Sequence, residues 1–341
     1  LATGSLAALA SIPGIDLNGV VKLDNLDDAQ RIVATARRAQ AAVVVGGGIT
    51  ALEIVEGLRP YCREVHYLLR GDRYWPNVLD ETESAIVEQR LSHDRVRLRH
   101  RTELAVIEGR DGRVVAVVTK GGERIPCQLV AVAIGVLPRL ELARQAGLTI
   151  DRGVLVDEFL RTSAADVFAA GDVAQVRDPL TGAAVLDTLW SAALDQGRAA
   201  AANMAGAQKA YVKPPALNVT RLAGLTTTLI GAVGRGRDAD LVAIARGDSE
   251  QWRGAAALAN AITVGDVSEV NRVRVLVGEQ TLVGAVVMGD QALSRPLEEL
   301  VSRQVDISPI RARLLAANAN IPAIIVPFWQ QWRQSHASPS R

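Results

Sequence analysis

The segment that most constrains this chain runs Ala42-Val-Val-Val-Gly46-Gly47-Gly48-Ile49-Thr50-Ala51-Leu52-Glu53: an apolar run, three glycines, then the start of a helical pattern. Gly46, Gly48 and Ala51 fall at G-x-G-x-x-A spacing. In such a segment the first glycine permits a tight turn and the second lets backbone approach a pyrophosphate. The small third residue lets helix pack on strand, with the helix N-terminus turned toward the anion. The surroundings support that reading over a plain glycine turn. Ala42–Val45 reads as a buried strand and Thr50–Leu58 as a helix. Val65–Leu69, Glu81–Leu91 and Val96–His100 then follow as strand, helix and strand. That is βαβαβ, hence a parallel sheet with helices on its faces. Gly46, Gly48, Ile49 and Ala51 are therefore expected to contact a dinucleotide.

The residue closing the second strand of such a unit normally reads the adenosine ribose, and an acid there binds a free 2′-OH. This chain has Leu69-Arg70-Gly71-Asp72-Arg73, with no carboxylate at the strand end. Arg70 or Arg73 could meet a 2′-phosphate, or both could be solvated surface. The pattern leans toward NADPH over NADH.

Elsewhere the texture changes. Residues 1–28 read as turn-rich loop, and Asp27 is expected to cap a helix carrying Ile32, Val33 and Ala36 on one face. Leu104–Glu108, Arg113–Thr119 and Glu123–Ile125 alternate at period two around Asp111-Gly112 and Gly121-Gly122, as antiparallel hairpins do. Leu129–Ile134 is an apolar strand returning to the sheet. A long alanine-rich helix is expected over Thr188–Met204, and Pro214-Pro215 marks a boundary. Arg272–Val277 and Thr281–Met288 flank Gly278-Glu279, a hairpin with glycine where a type II′ turn wants it. Leu297–Val301 and Ile310–Leu315 read as helices, and a frayed tail is expected from Ser335.

Composition removes several classes of function. Lys+Arg of 38 against Asp+Glu of 37, with 4% aromatic residues, lacks the basic surplus of a nucleic-acid binder. Cys62 and Cys127 make no CxxC pattern or disulfide framework, which suits a reducing cytoplasm. The four histidines (His66, His93, His100, His336) are too scattered to suggest a metal site. The longest apolar run, Leu129–Leu137, falls well short of a membrane span, and no basic leader opens the chain.

The stretch Arg161-Thr162-Ser-Ala-Ala-Asp166-Val167-Phe168-Ala169-Ala170-Gly171-Asp172 resembles the T-x5-[F/Y]-A-x-G-D motif of the FAD-dependent pyridine nucleotide-disulfide oxidoreductases. The resemblance implies that Asp172 hydrogen-bonds the ribityl chain of FAD, with the Gly171 backbone close to the phosphates. Ala2-Thr3-Gly4-Ser5, followed by Pro13-Gly14, is similar to the family's first crossover. Ala133-Ile134-Gly135-Val136-Leu137-Pro138 is similar to the second. Leu189-Trp190, with Gln196-Gly197 further on, resembles the helix whose start points at the flavin. Its dipole would stabilise negative charge on the reduced ring. Glu53 resembles the acid at the nicotinamide end, although an exposed helix-start carboxylate is the competing reading. FAD contacts are thus implied for Thr3, Gly4, Ile134, Gly135, Gly171, Asp172, Leu189 and Trp190, and NAD(P)H contacts for Gly46, Gly48, Ile49, Ala51, Glu53 and Arg70.

Leu282-Val-Gly-Ala-Val-Val-Met-Gly-Asp290, Pro296-Leu297 and Val305-Asp306-Ile307-Ser308 resemble the branch holding the nitrite reductase large subunit and rubredoxin reductases. The His-x4-Glu signature of the glutathione-reductase branch is missing, and neither cysteine resembles a redox pair. The family's first FAD-binding strand, glycine loop and helix have no counterpart in residues 1–40. The sequence therefore reads as a fragment, and full FAD binding by these residues alone is not expected. The resemblance implies an α/β chain with two Rossmann-like dinucleotide-binding domains, the FAD one incomplete, and a smaller C-terminal α+β domain. The expected boundaries are 1–28 with 137–210 for FAD, 29–136 for NAD(P), and 215–315 for an interface domain that could also join copies of the chain. The implied function passes hydride from NAD(P)H to FAD and on to an acceptor, either an electron-acceptor protein or a small molecule. A non-catalytic partner flavoprotein and a flavin disulfide or peroxide reductase remain as alternatives.

Overall fold

The computed structural model describes residues 1–179, 181–234, 262–268 (backbone only), 271–317 and 319–336. Its organising element is Ala41–Val45, whose β-branched side chains at Val43 and Val44 are completely buried. A strand buried on both faces belongs inside a parallel sheet. Here the strand order is Val20–Val21, Leu129–Val132, Ala41–Val45, Glu64–Leu68, Val96–Arg99, all parallel. Helices Leu26–Ala36, Ile49–Leu58 and Glu81–His93 connect these strands. An antiparallel sheet of Leu104–Arg110, Arg113–Thr119 and Arg124–Pro126 supplies Ile107, Val117 and Ile125 to a core shared with Val43, Leu68 and Val130. The expected βαβαβ unit, its hairpins and the returning strand are all present.

Contacts divide the chain into two compact units. One holds Thr3–Gln145; the other holds Leu1–Ala2 and the described residues from Ala146 onward. In the second, Val154–Leu155, Ala174–Arg177 and Ala184–Leu186 form a small sheet, followed by helix Trp190–Met204. An antiparallel sheet then runs in the order Leu217–Leu222, Leu225–Gly231, Leu282–Met288, Asn271–Val277, Ile262–Ser268. Helices Ser294–Ser302, Ser308–Leu314 and Ile321–His336 bury Leu297, Leu300, Leu314, Ile321 and Ile325 against Ile230, Val275 and Val287 of that sheet.

Four expectations are corrected. The stretch 1–28 is mostly loop, but Ser5–Ala7 pairs antiparallel with Val136–Pro138, and Val20–Val21 joins the edge of the parallel sheet. The first helix is capped by Asn25, whose Oδ1 accepts the Asp28 N–H at 3.0 Å; Asp27 lies inside the first turn. Gly278 does not take the left-handed backbone of a type II′ turn. Glycine fits there because a Cβ would stand 2.8 Å from the Thr281 carbonyl oxygen. Finally, the chain is helical over Ile321–His336, so Ser335 and His336 end a helix; the rest of the expected tail lies outside the described residues. Pro327 removes one hydrogen bond inside that helix, but burial of Ile321, Ile324 and Ile325 along one face outweighs the loss.

Gly46 is the tightest position in the nucleotide-facing part of the first unit. Its φ is +144°, and a Cβ would stand 2.1 Å from the Ala133 carbonyl oxygen. Gly46→Ala is expected to lower the free energy of unfolding by about 2–4 kcal/mol, read by urea denaturation followed by circular dichroism.

Candidate functional site

The three glycines of the first loop divide their roles. Gly46 is packed against Ala133, and fully buried Ala51 sits 3.1 Å from where a Gly46 Cβ would be, so helix and strand meet through small residues only. Gly47 and Gly48 face open space, with nothing within 4 Å of a Cβ on either. Helix Ile49–Leu58 starts at Gly48 without a side-chain cap. In the same unit Asn25 caps its helix, and Asp80 and Glu83 form a reciprocal capping box on theirs. The N–H groups of the turn at Ile49 thus have no side-chain cap, an arrangement that can accept an anion. Glu53 lies one turn further along and is exposed, yet the surrounding protein thins the solvent enough to push its carboxyl pKa above the ordinary range.

At the end of the neighbouring strand Leu69 is buried and Arg70 is exposed. Arg73 turns back into its own loop, with Nη1 3.4 Å from Asp72 Oδ1 and Nη2 3.4 Å from the Pro76 carbonyl. Of the two arginines, Arg70 is the exposed one and Arg73 is half-buried.

Antiparallel pairing of the two crossover segments sets Thr3 and Gly4 at one end, beside Arg139, and Gly135, next to Ile134, at the other end, beside Ala8. Thr3 Oγ1 donates to the Arg139 carbonyl at 2.8 Å, and the Ala8 N–H donates to the Gly135 carbonyl at 2.9 Å. Gly4 and Gly135 both have left-handed backbone, φ +67° and +113°.

In the second unit the Thr162–Asp172 string closes on itself. The Thr162 N–H donates to the Val167 carbonyl at 2.8 Å, and the Ala170 N–H donates to the Leu1 carbonyl at 3.0 Å. Gly171, at φ +77°, opens a 3₁₀ turn, and its N–H donates to Gln196 Oε1 at 2.8 Å. Gln196 belongs to helix Trp190–Met204, which begins at Leu189 without a side-chain cap and leaves Trp190 87% exposed.

Sequence reasoning missed the charges beneath that helix start. Asp187 and Lys213 form a buried ion pair at 3.6 Å, and Asp187 also accepts the Leu189 N–H. Burial pushes the Asp187 carboxyl up; Lys213 and the Leu189 N–H pull it back, while the Asp172 charge adds to the rise. Burial and the Asp187 charge push the Tyr211 hydroxyl up to about 12. The Gln196 amide beside it offsets part of that rise, although neither Gln196 Nε2 nor the Tyr211 hydroxyl completes a hydrogen bond of ordinary geometry. The uncapped helix start leaves backbone N–H groups that suit a polar or anionic partner.

Both cysteines are buried. Burial raises the Cys62 thiol and pushes Cys127 up to about 12. Among the described residues no helix is long and apolar enough to cross a membrane, and no group of three or more His, Cys, Asp and Glu could hold a metal ion.

The sequence pattern of the family described as "Pyridine nucleotide-disulphide oxidoreductase" matches residues 1–201. The chain belongs to this family. It is similar to rubredoxin-NAD(+) reductase of Pseudomonas putida, with 32% identity over 72% of this chain and 63% of that protein. It is similar also to the biphenyl dioxygenase system ferredoxin–NAD(+) reductase component of Paraburkholderia xenovorans, with 35% identity over 73% of this chain and 60% of that protein. The chain therefore spans less than two thirds of either relative. The fold is similar to that of a FAD-dependent pyridine nucleotide-disulphide oxidoreductase from Desulfovibrio vulgaris, with a TM-score of 0.74 and 25% identity, covering 99% of this chain and 82% of that one.

Two expectations follow. Lys213→Met leaves Asp187 buried and unpaired and is expected to cost about 3–5 kcal/mol of unfolding free energy, most of it recovered when Asp187→Asn is added. In the native protein Cys62 and Cys127 should resist a disulfide-exchange thiol reagent and react only on denaturation; rapid native labelling of either would contradict the burial.

Proposed function

We propose that this chain works as the coenzyme- and acceptor-facing part of a flavoprotein that passes hydride from NAD(P)H to FAD and electrons on to a redox acceptor, with an electron-acceptor protein favoured over a small molecule. The observation that carries the reading is the first nucleotide loop: Gly47 and Gly48 open to solvent at a helix start that no side chain caps. Relatives named as reductases of rubredoxin and ferredoxin support the acceptor class. In this reading 29–136 carries the coenzyme, 1–28 with 137–210 faces FAD, and 215–315 is an interface domain in a cytoplasmic protein.

FAD, when bound, supplies the two-electron acceptor for the hydride and releases the electrons onward. The chain's own residues bind and orient. The Gly48–Ile49 N–H groups hold the coenzyme pyrophosphate, Arg70 meets a 2′-phosphate, and Glu53 borders the nicotinamide end. Asp172 takes the ribityl hydroxyls, while the uncapped N–H groups following Leu189 hold negative charge at the pyrimidine end of the ring. The alternative reading, a disulfide or peroxide reductase, would take its reactive thiol from outside these residues, since Cys62 and Cys127 are both buried.

The test is an anaerobic titration of the purified chain, with FAD present, by NADPH and by NADH, following nicotinamide fluorescence and the visible flavin band. NADPH should bind the more tightly, and Arg70→Ala should weaken NADPH about tenfold while leaving NADH within about twofold. A flavin band bleached by NADPH supports the whole reaction. NADPH binding without bleaching of that band restricts this chain to the coenzyme half. Binding of neither coenzyme overturns the reading.

A further inference from the structure

The loop that follows Arg70 is fastened by side chains of helix Glu81–His93. Glu88, on helix Glu81–His93, places a single carboxylate oxygen against two segments at once. Its Oε1 accepts the Tyr74 backbone N–H at 2.6 Å and the His100 Nε2–H at 3.0 Å. Ser84, one turn earlier on the same helix, donates its hydroxyl to the Tyr74 carbonyl at 2.7 Å. Both polar groups of the Tyr74 peptide backbone are thereby held by side chains of one helix.

The segments so joined are the two that border the ribose end. Gly71 accepts the Arg101 N–H at 2.8 Å, and Leu69 accepts the Thr102 N–H at 3.0 Å, so the loop after Leu69 lies alongside the end of strand Val96–Arg99. Each segment also holds a non-glycine residue in left-handed backbone, Trp75 at φ +48° and Arg101 at φ +50°. Such residues persist only where the surroundings over-determine them. Tyr74 and Trp75 are buried, so the loop has an anchored base beneath an exposed Arg70.

The geometry points to Glu88 as the positioning residue for coenzyme choice: by tying the Tyr74 backbone to His100, it fixes the loop from which Arg70 reaches a 2′-phosphate. This rests on the reading of Arg70 given above and adds to it the group that presets the arginine's position. A pre-set cation discriminates between coenzymes more sharply than one on a free loop, because less ordering is lost on binding.

The experiment measures dissociation constants for NADPH and NADH on the full chain by nicotinamide fluorescence. It compares wild type, Glu88→Ala, Glu88→Gln, His100→Ala, Arg70→Ala and the Glu88→Ala/Arg70→Ala double variant, each checked for a native circular dichroism spectrum. Glu88→Ala should reduce the NADPH:NADH preference by about fivefold to tenfold. Glu88→Gln keeps an acceptor oxygen for both donors and should stay within about twofold of wild type. His100→Ala, which leaves the Tyr74 bond intact, should move the preference in the same direction by a smaller factor. In the Arg70→Ala background the Glu88→Ala change should alter the preference no further. If Glu88→Ala weakens both coenzymes equally, changes neither, or acts undiminished without Arg70, the proposal is overturned while the coenzyme reading stands. A wild type that binds neither coenzyme, or favours NADH, overturns that reading and the proposal with it.

Discussion

Where Gly46 passes beside the Ala133 carbonyl, strand, helix and crossover must share a space with no room for one methyl group. The Ala133 N–H donates to the Val45 carbonyl at 2.9 Å, so the end of the first strand is stitched to the end of the returning strand at that point. From it the chain leaves in two directions. Gly47 and Gly48 climb into the uncapped helix start, while Ile134 and Gly135 turn into the crossover that pairs with Ser5–Ala7. One steric condition therefore sets both the anion cradle and the neighbouring crossover. It is met by the smallest residue at the one place where a larger one cannot be absorbed by rotamer change.

Helix starts in this chain differ in how their N–H groups are met. Asn25, Asp80 and Glu83 spend their side chains on the N–H groups of their own helices, and Glu88 spends its carboxylate on a loop and a strand end. Gly48 and Leu189 offer no side-chain cap to the helices they begin. Beneath the second of these helices, Asp187 would be a costly buried charge without Lys213, and together they fix the Leu189 N–H without covering the groups that follow it.

The parts legible in the sequence were those with a local period or a fixed spacing. The βαβαβ alternation, the hairpins around Asp111-Gly112 and the long helix ending at Met204 declare themselves within a few residues. Val20–Val21 and Ser5–Ala7 do not, since strands of two or three residues exist only through a partner more than a hundred positions away. Helix Ile321–His336 carries its apolar spacing openly, but Pro327 breaks the local signal, and only packing on the C-terminal sheet restores it. Within the candidate site, the glycines and Asp172 came from spacing and resemblance. Asp187, Lys213 and Glu88 act through partners 26, 26 and, at the nearest, 12 residues away, and a single sequence gives no sign of such pairs.

Trp190 stands at the mouth of the second uncapped helix with 87% of its surface in water. An indole so placed emits in the colour of a fully hydrated fluorophore, whereas Trp75 is enclosed by protein and Trp329 hydrogen-bonds Glu299 at 2.9 Å. Any aromatic ring, peptide or second chain that settles on that helix start must dehydrate Trp190 first. The protein thus has a native optical reporter at this spot, able to register an arriving molecule without any label being attached.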